Sequence, residues 1–282
     1  MTNELRRLLV PQALGLNLFL ALGFLGGASR WNLSLWTLFL ILLAFVSARN
    51  AGHAFNQIVD RGYDALNPRT RERPLVTGEL SLRWAYFIVL GSAALLFVAA
   101  ALLNLLVLAL APVALAISLS YSYTKRFTAW TTVLLGLVES MVPVGVYLAV
   151  QDAWTWTAVV AGLAVLFFGT GFETIHSLSD LDSDRELGLH SIPRFLGKKD
   201  AIPFAAGMFG ISLIFFGFYA RLASLGPLFL LCLVGMGFVA LWEVSSLRRS
   251  TLTLRGAFSA NFAFGALFLL GIVLGLLPLP AL

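Results

Sequence analysis

Asn56-Gln-Ile-Val-Asp60-Arg-Gly-Tyr-Asp64 closes an apolar run that begins at Leu33 and reaches Val59. Three oxygen-bearing side chains recur in it at i, i+4 and i+8. Four residues on a helix turn through about 400°, so Asn56, Asp60 and Asp64 form one polar stripe roughly 12 Å long. An apolar run of this length reads as a membrane-spanning helix, and the stripe marks its end. Arg69, Arg71 and Arg73 follow, bracketed by Pro68 and Pro74. Clustered carboxylates with basic residues close by suit a divalent cation carrying a phosphate-rich ligand. A solvated helix end with a basic loop after it has the same local appearance, so the rest of the chain must decide.

Composition places the stretch in a membrane. Hydrophobic residues make up 59% of the 282 residues, charged residues only 12%, and the mean hydropathy is +0.90. Soluble domains are about 25% charged, and no polar interval here is long enough to hold a soluble core. Arg6 and Arg7 precede an apolar run without a small-residue cleavage site, which predicts a retained first helix and not a signal peptide. Cys232 is the only cysteine, which excludes an intrachain disulfide and a thiolate metal cluster within one chain.

Spans of about 20 apolar residues are predicted at 10–28, 33–57, 82–103, 105–123, 128–149, 154–178, 202–222, 226–247 and 257–277. Asn104 is the main mark between the third and fourth, in an apolar run too long for one crossing. With the N-terminus in the cytoplasm, sixteen of the nineteen Lys and Arg fall on the cytoplasmic side and two outside, with Arg49 inside the second span. This sorting supports an all-α, nine-helix protein of the cell (inner) membrane with its polar face in the cytoplasm. One membrane-embedded domain, 1–282, is expected. Asp60 and Asp64 recur as Asp180 and Asp184, and Lys125-Arg126 recurs as Arg248-Arg249. These offsets suggest two four-helix repeats, about 10–126 and 128–249, plus a ninth helix at 257–277.

The second acidic stripe is His176-Ser-Leu-Ser-Asp180-Leu-Asp182-Ser-Asp184. His176, Asp180 and Asp184 repeat the i, i+4, i+8 spacing at the end of a span, with Asp182 pointing away if the helix continues. Carboxylates one turn apart repel unless a cation lies between them. Two such stripes on one membrane face make a site rich in hard oxygen donors. Mg²⁺ binds through one or two carboxylates and substrate phosphates, so two Mg²⁺ ions are expected, each bridging a stripe to a diphosphate. Arg69, Arg71, Arg73, Lys125 and Arg126 are the candidate diphosphate cations. Tyr121 shares a helix face with Lys125.

Asn56-x3-Asp60-x3-Asp64, Tyr121-x3-Lys125 and Asp180-x3-Asp184, placed among nine spans, resemble the UbiA-type intramembrane prenyltransferases. The resemblance covers essentially the whole chain. It implies nine helices around a central cavity open to the cytoplasmic side and to lipid. It implies Mg²⁺-dependent transfer of an isoprenoid chain from its diphosphate to an acceptor, commonly aromatic. Asn56, Asp60, Asp64, Asp180 and Asp184 become the Mg²⁺-diphosphate residues, with Tyr121, Lys125 and Arg126 as diphosphate contacts. Gln57 stands where many members have Asp. Asn67 to Pro74 and Gly188 to Arg194 look most like the bacterial 4-hydroxybenzoate polyprenyltransferase-like branch, part of which is thought to act on a dihydroxynaphthoate in menaquinone synthesis.

The residues also suggest a mechanism. Metals and basic groups withdraw charge from the leaving diphosphate, the allylic C–O bond breaks, and the cation attacks an electron-rich ring carbon. Glu139, Glu173 and Glu243 are the other intramembrane acids. Glu173 lies near the face of Asp180, and it or Asp64 can hold the acceptor hydroxyl or take the ring proton. For the acceptor, a hydroxylated aromatic acid, Arg194 is a spare cation and His176, His190 and Ser191 are nearby polar groups. Ser191 alternatively caps a short helix ended by Gly197. The partners expected are a polyprenyl diphosphate, the aromatic acid and the bilayer, with no nucleic acid. A cation-coupled transporter is the rival reading; it explains less well why acids and bases gather together at helix ends.

Overall fold

The structure is a computed structural model and describes residues 14–249 and 254–278, with 14–17 and 254–255 placed as helix only. Arg6, Arg7 and the first four residues of the first predicted span lie outside it. Twelve helices and no strand occur among the described residues: α1 (Leu14–Ser29), α2 (Leu35–Leu66), α3 (Pro74–Thr77), α4 (Leu82–Leu103), α5 (Leu105–Thr124), α6 (Thr131–Gln151), α7 (Trp156–Leu178), α8 (Leu181–Glu186), α9 (Ile192–Leu196), α10 (Lys198–Leu222), α11 (Leu228–Arg248) and α12 (Leu254–Gly275). Eight are long and apolar enough to cross a membrane, namely α2, α4, α5, α6, α7, α10, α11 and α12. The remaining predicted span, 10–28, corresponds, as far as it is described, to the shorter α1.

Local chemistry sets the ends. Ser34, Ser81, Asn104 and Thr155 each accept a backbone N–H three residues on and so cap α2, α4, α5 and α7. α2 runs to Leu66, nine residues past the predicted boundary at 57. The polar stripe does not break a helix, and only Pro68, which disfavours helical backbone at Asn67, ends it. α4 and α5 are parted by Asn104 alone: its Oδ1 accepts from Val107 N at 2.9 Å and its Nδ2 donates to Leu148 O at 2.7 Å on α6.

α7 is the most enclosed span and packs between α6 and α10. Small residues let this happen, since lipid supplies no hydrophobic drive and close backbone approach must. A Cβ on Gly136 of α6 would lie 2.6 Å from the Leu166 carbonyl oxygen of α7, so only glycine fits. Around α7, α1, α10 and α12 interlock through Phe24, Phe216, Tyr219, Phe264 and Phe268, with Phe168 stacked on Phe264 at 4.1 Å. The other side of the bundle is hollow. There α2, α4, α5 and α6 surround an apolar cavity of about 310 Å³.

Candidate active site

One end of the bundle gathers the C-termini of α2, α5 and α7. Asn56, Asp60 and Asp64 share a face of α2, and Asn56 Nδ2 donates to Asp60 Oδ2 at 2.9 Å. Asp64 is buried. Its Oδ2 accepts from Arg73 Nη1 at 2.6 Å, and its carbonyl accepts from Thr70 Oγ1 at 3.2 Å. The basic loop thus folds back on the stripe that precedes it.

The second stripe is not one helix, contrary to expectation. α7 stops at Leu178, Ser179 Oγ donates to the His176 carbonyl at 2.6 Å, and Asp180 (φ −103°, ψ 3°) opens the separate α8. Ser and Asp compete for backbone partners in this way and so break a helix that their spacing would continue. Asp182 does point away, with its side chain 94% exposed. Asp180 receives a bidentate contact from Arg69, Nε at 2.8 Å and Nη2 at 2.7 Å, and a third bond from Asn67 Nδ2 at 3.3 Å. Burial disfavours the Asp180 charge, but the Arg69 bonds outweigh it and hold the carboxyl below its ordinary range. Burial likewise opposes the Arg69 charge, and Asp180 more than restores it. Asp184 differs: burial pushes it above the usual carboxylate range against the pull of Lys125. Its Oδ2 and the Ser191 Oγ are both buried with no partner at full hydrogen-bond geometry, and the Ser191 hydroxyl lies near enough to ease the Asp184 charge.

These residues line a polar cavity of about 170 Å³ that includes Asn56, Asp60, Asp64, Arg69, Arg73, Tyr121, Lys125, Glu173, His176, Asp180 and Asp184. Tyr121, Leu135 and Glu173 line this cavity and the apolar one alike, so the two meet there. Lys125 has no carboxylate within ion-pair distance among the described residues.

Several sequence-predicted residues stand elsewhere. Arg71 is exposed outside the cavity. Arg126 lies over the Tyr63 and Tyr123 rings, 5.5 and 5.1 Å from their centroids, and donates to the Val59 carbonyl at 3.0 Å. Arg194 is not a spare cation, because its Nη1 donates to the carbonyls of Asp184 and Leu189. His190 is exposed, and its backbone N–H donates to the Lys125 carbonyl at 2.7 Å. Ser191 does begin α9, ended by Gly197 at φ +84°, but its hydroxyl makes no capping bond.

Two residues with no role predicted from sequence line the apolar cavity, one turn apart on α2: Arg49 and His53. Gln57 Nε2 donates to His53 Nε2 at 3.0 Å. Arg49 Nη1 is buried without a hydrogen-bond partner. The only signal in the sequence was an arginine inside a span, where a charge is costly unless it is used.

The donor chemistry fits Mg²⁺ in one way and excludes another. No three His, Cys, Asp or Glu side chains among the described residues converge on a point, so no all-protein cage is built. Mg²⁺ needs only one or two carboxylates when substrate phosphates supply the rest. Asp60, Asp64, Asp180 and Asp184 around one cavity, with Asp184 Oδ2 unpartnered, meet that requirement.

Residues 17–268 match the family described as UbiA prenyltransferase family. The 4-hydroxybenzoate octaprenyltransferase of Polynucleobacter asymbioticus is 32% identical over 254 residues, covering 88% of this chain and 87% of that protein. That of Methylobacillus flagellatus is 30% identical, covering 84% and 80%. Among solved structures, a UbiA homolog from Aeropyrum pernix K1 superposes with a TM-score of 0.84 at 32% identity, covering 95% of this chain and 100% of that one. A UbiA homolog from Archaeoglobus fulgidus bound to GPP and Mg²⁺ shares the fold, with a TM-score of 0.73 at 22% identity and coverage of 96% and 98%.

Proposed function

This chain belongs to the UbiA prenyltransferase family, and from that premise we propose that it alkylates a hydroxylated aromatic acid of the 4-hydroxybenzoate type with a polyprenyl chain, in the assembly of a respiratory quinone. It is an integral membrane enzyme, and group transfer is favoured over the carrier reading. The observation that carries the acceptor is Arg49. A guanidinium facing an apolar cavity, with Nη1 buried and unpartnered, calls for an anion that arrives with the substrate. A carboxylate on an otherwise apolar ring meets that demand bidentately. His53, one turn on, is then placed to contact the same ring.

The donor end follows from the polar cavity. Two Mg²⁺ ions, held by Asn56, Asp60 and Asp64 on one side and Asp180 and Asp184 on the other, would neutralise charge developing on the leaving diphosphate. Arg69 and Arg73 are now spent on Asp180 and Asp64; with diphosphate bound they transfer to its oxygens, joined by Lys125 and the Tyr121 hydroxyl. The prenyl chain lies in the apolar cavity, whose walls keep water from the cation. The basic end of the bundle faces the cytoplasm under this reading. Cysteines placed at 65–75 in a Cys232-free variant then resist an impermeant thiol reagent in spheroplasts.

The test is a panel of 4-hydroxybenzoate, dihydroxynaphthoates, homogentisate, haem and a glycerol phosphate ether, each incubated with membranes, Mg²⁺ and radiolabelled polyprenyl diphosphate. Product from an aromatic acid supports the reading, and Arg49→Leu then raises the KM for that acid about 100-fold without changing that for the diphosphate, as loss of a charge-assisted contact requires. Product from haem or the glycerol phosphate alone overturns the acceptor.

A further inference from the structure

Glu139, on α6, has no part in the chemistry described so far. Its carboxyl rests against the backbone of α7 at Gly169. A Cβ built on Gly169 would run into Glu139 Oε2, so the missing side chain is what admits the carboxyl. Gly169 is one turn before Glu173 and on the same helix face. Glu173 is the carboxyl facing Glu139, and Arg49, His53 and Tyr121 line the same cavity. Both carboxyls line the apolar cavity, and Glu173 also lines the polar one. Neither is hydrogen-bonded or ion-paired to another described residue. Lys125, Arg69 and Asp180 face Glu173 from the polar side, and Tyr121 lines the junction beside it.

We propose that Glu139 and Glu173 form the proton-accepting pair of the transfer reaction, with Glu173 removing the ring proton and Glu139 acting as the positioning residue. This rests on the aromatic-acceptor reading above. Two neighbouring carboxyls that face one apolar cavity resist carrying charge together. Between them they hold one negative charge before transfer and none after it. Once the prenyl carbon has bonded to the ring, the C–H bond at the alkylated carbon breaks. Its electron pair restores the aromatic ring, and the proton bonds to the Glu173 carboxylate. The diphosphate has already left as the anion, and the pair resets by releasing a proton to water at the mouth of the polar cavity. Asp64 is the weaker candidate for this step because Arg73 holds its carboxylate at 2.6 Å. Asp60 is likewise engaged, by Asn56 at 2.9 Å.

The test uses the full chain in detergent or membranes, with acceptor deuterated on the ring carbon beside the hydroxyl. Wild type shows no isotope effect, because proton loss is fast once the new bond has formed. Glu173→Gln lowers kcat about 100-fold, the usual worth of a positioned base, leaves both KM values within about threefold, and brings out an isotope effect of about 2 or more. Glu139→Gln gives a smaller loss, about 10-fold, with an isotope effect of the same sign. Gly169→Ala, which pushes the Glu139 carboxyl off its seat, reproduces Glu139→Gln; should that variant misfold, the Gln substitutions are near-isosteric and decide alone. Full activity in either Gln variant, or slowing without an isotope effect in Glu173→Gln, overturns the pair while leaving the acceptor reading intact. No aromatic product from wild type overturns both.

Discussion

Asn56, Asp60 and Asp64 stand on one unbroken helix, whereas Asp180 stands in a turn between α7 and α8. The spacing of the two stripes is the same, and their backbones are not. In the first, the helix itself fixes the carboxylates, and Arg73 comes to it from nine residues away. In the second, position depends on a serine that stops α7 and on Arg69, which reaches Asp180 across 111 residues of sequence. The first stripe is therefore a rigid wall, and the second is held by contacts that a ligand can replace.

The comparison breaks most visibly at the carboxylates. Asp60→Asn and Asp180→Asn are each expected to lower turnover at least about 100-fold, since each would remove a hard anionic ligand from the proposed leaving-group site. Protein yield should hold, and Lys198→Ala serves as the control. A large loss in only one variant would mean that the stripes do not act together. Thermal unfolding of the ligand-free protein in detergent sharpens the contrast next. Arg69→Ala should lower Tm by about 2–4 °C, because it leaves a buried carboxylate without its main partner and unties two distant segments. Arg73→Ala, acting within one segment, should lower it less; the reverse order would contradict the rigid-wall account. The smallest effect is at Gly62, which lies between Asp60 and Asp64 with open space where a Cβ would stand. Gly62→Ala should stabilise α2 by up to about 1 kcal/mol and leave turnover within about twofold. Ser179→Ala, which removes the side-chain bond that closes α7 just before Asp180, should lower turnover more than Gly62→Ala does.

Hydropathy made the spans legible, because a bilayer imposes one length on every crossing. The eight long helices and α1 fall where apolar runs were read. The stripes were legible as spacing, and the cavity contains all five of their oxygen-bearing metal candidates. The turn at Ser179 was not, since a serine at the end of a span is compatible with a helix until its hydroxyl is seen on the His176 carbonyl. Charge in loops misled for a related reason. Arg126 on aromatic rings and Arg194 on carbonyls have the same composition as cations waiting for phosphate. Arg49 and His53 went unread because their place on the cavity wall depends on which way a helix face turns, and only the packed bundle fixes that rotation.

Asn104 governs more than the ends of two helices. It is all that separates α4 from α5, so it turns what would be a single passage through the bilayer into two. Every later helix inherits its direction from that reversal. With the break, the ends of α2 and α7 emerge on the same side and their aspartates can meet; without it, the parity of the chain changes and the stripes end on opposite sides of the membrane. The side-chain bond to Leu148 adds an order of events. It cannot form until α6 has been inserted, so the reversal is made first by the cap on Val107 and locked later from across the bundle.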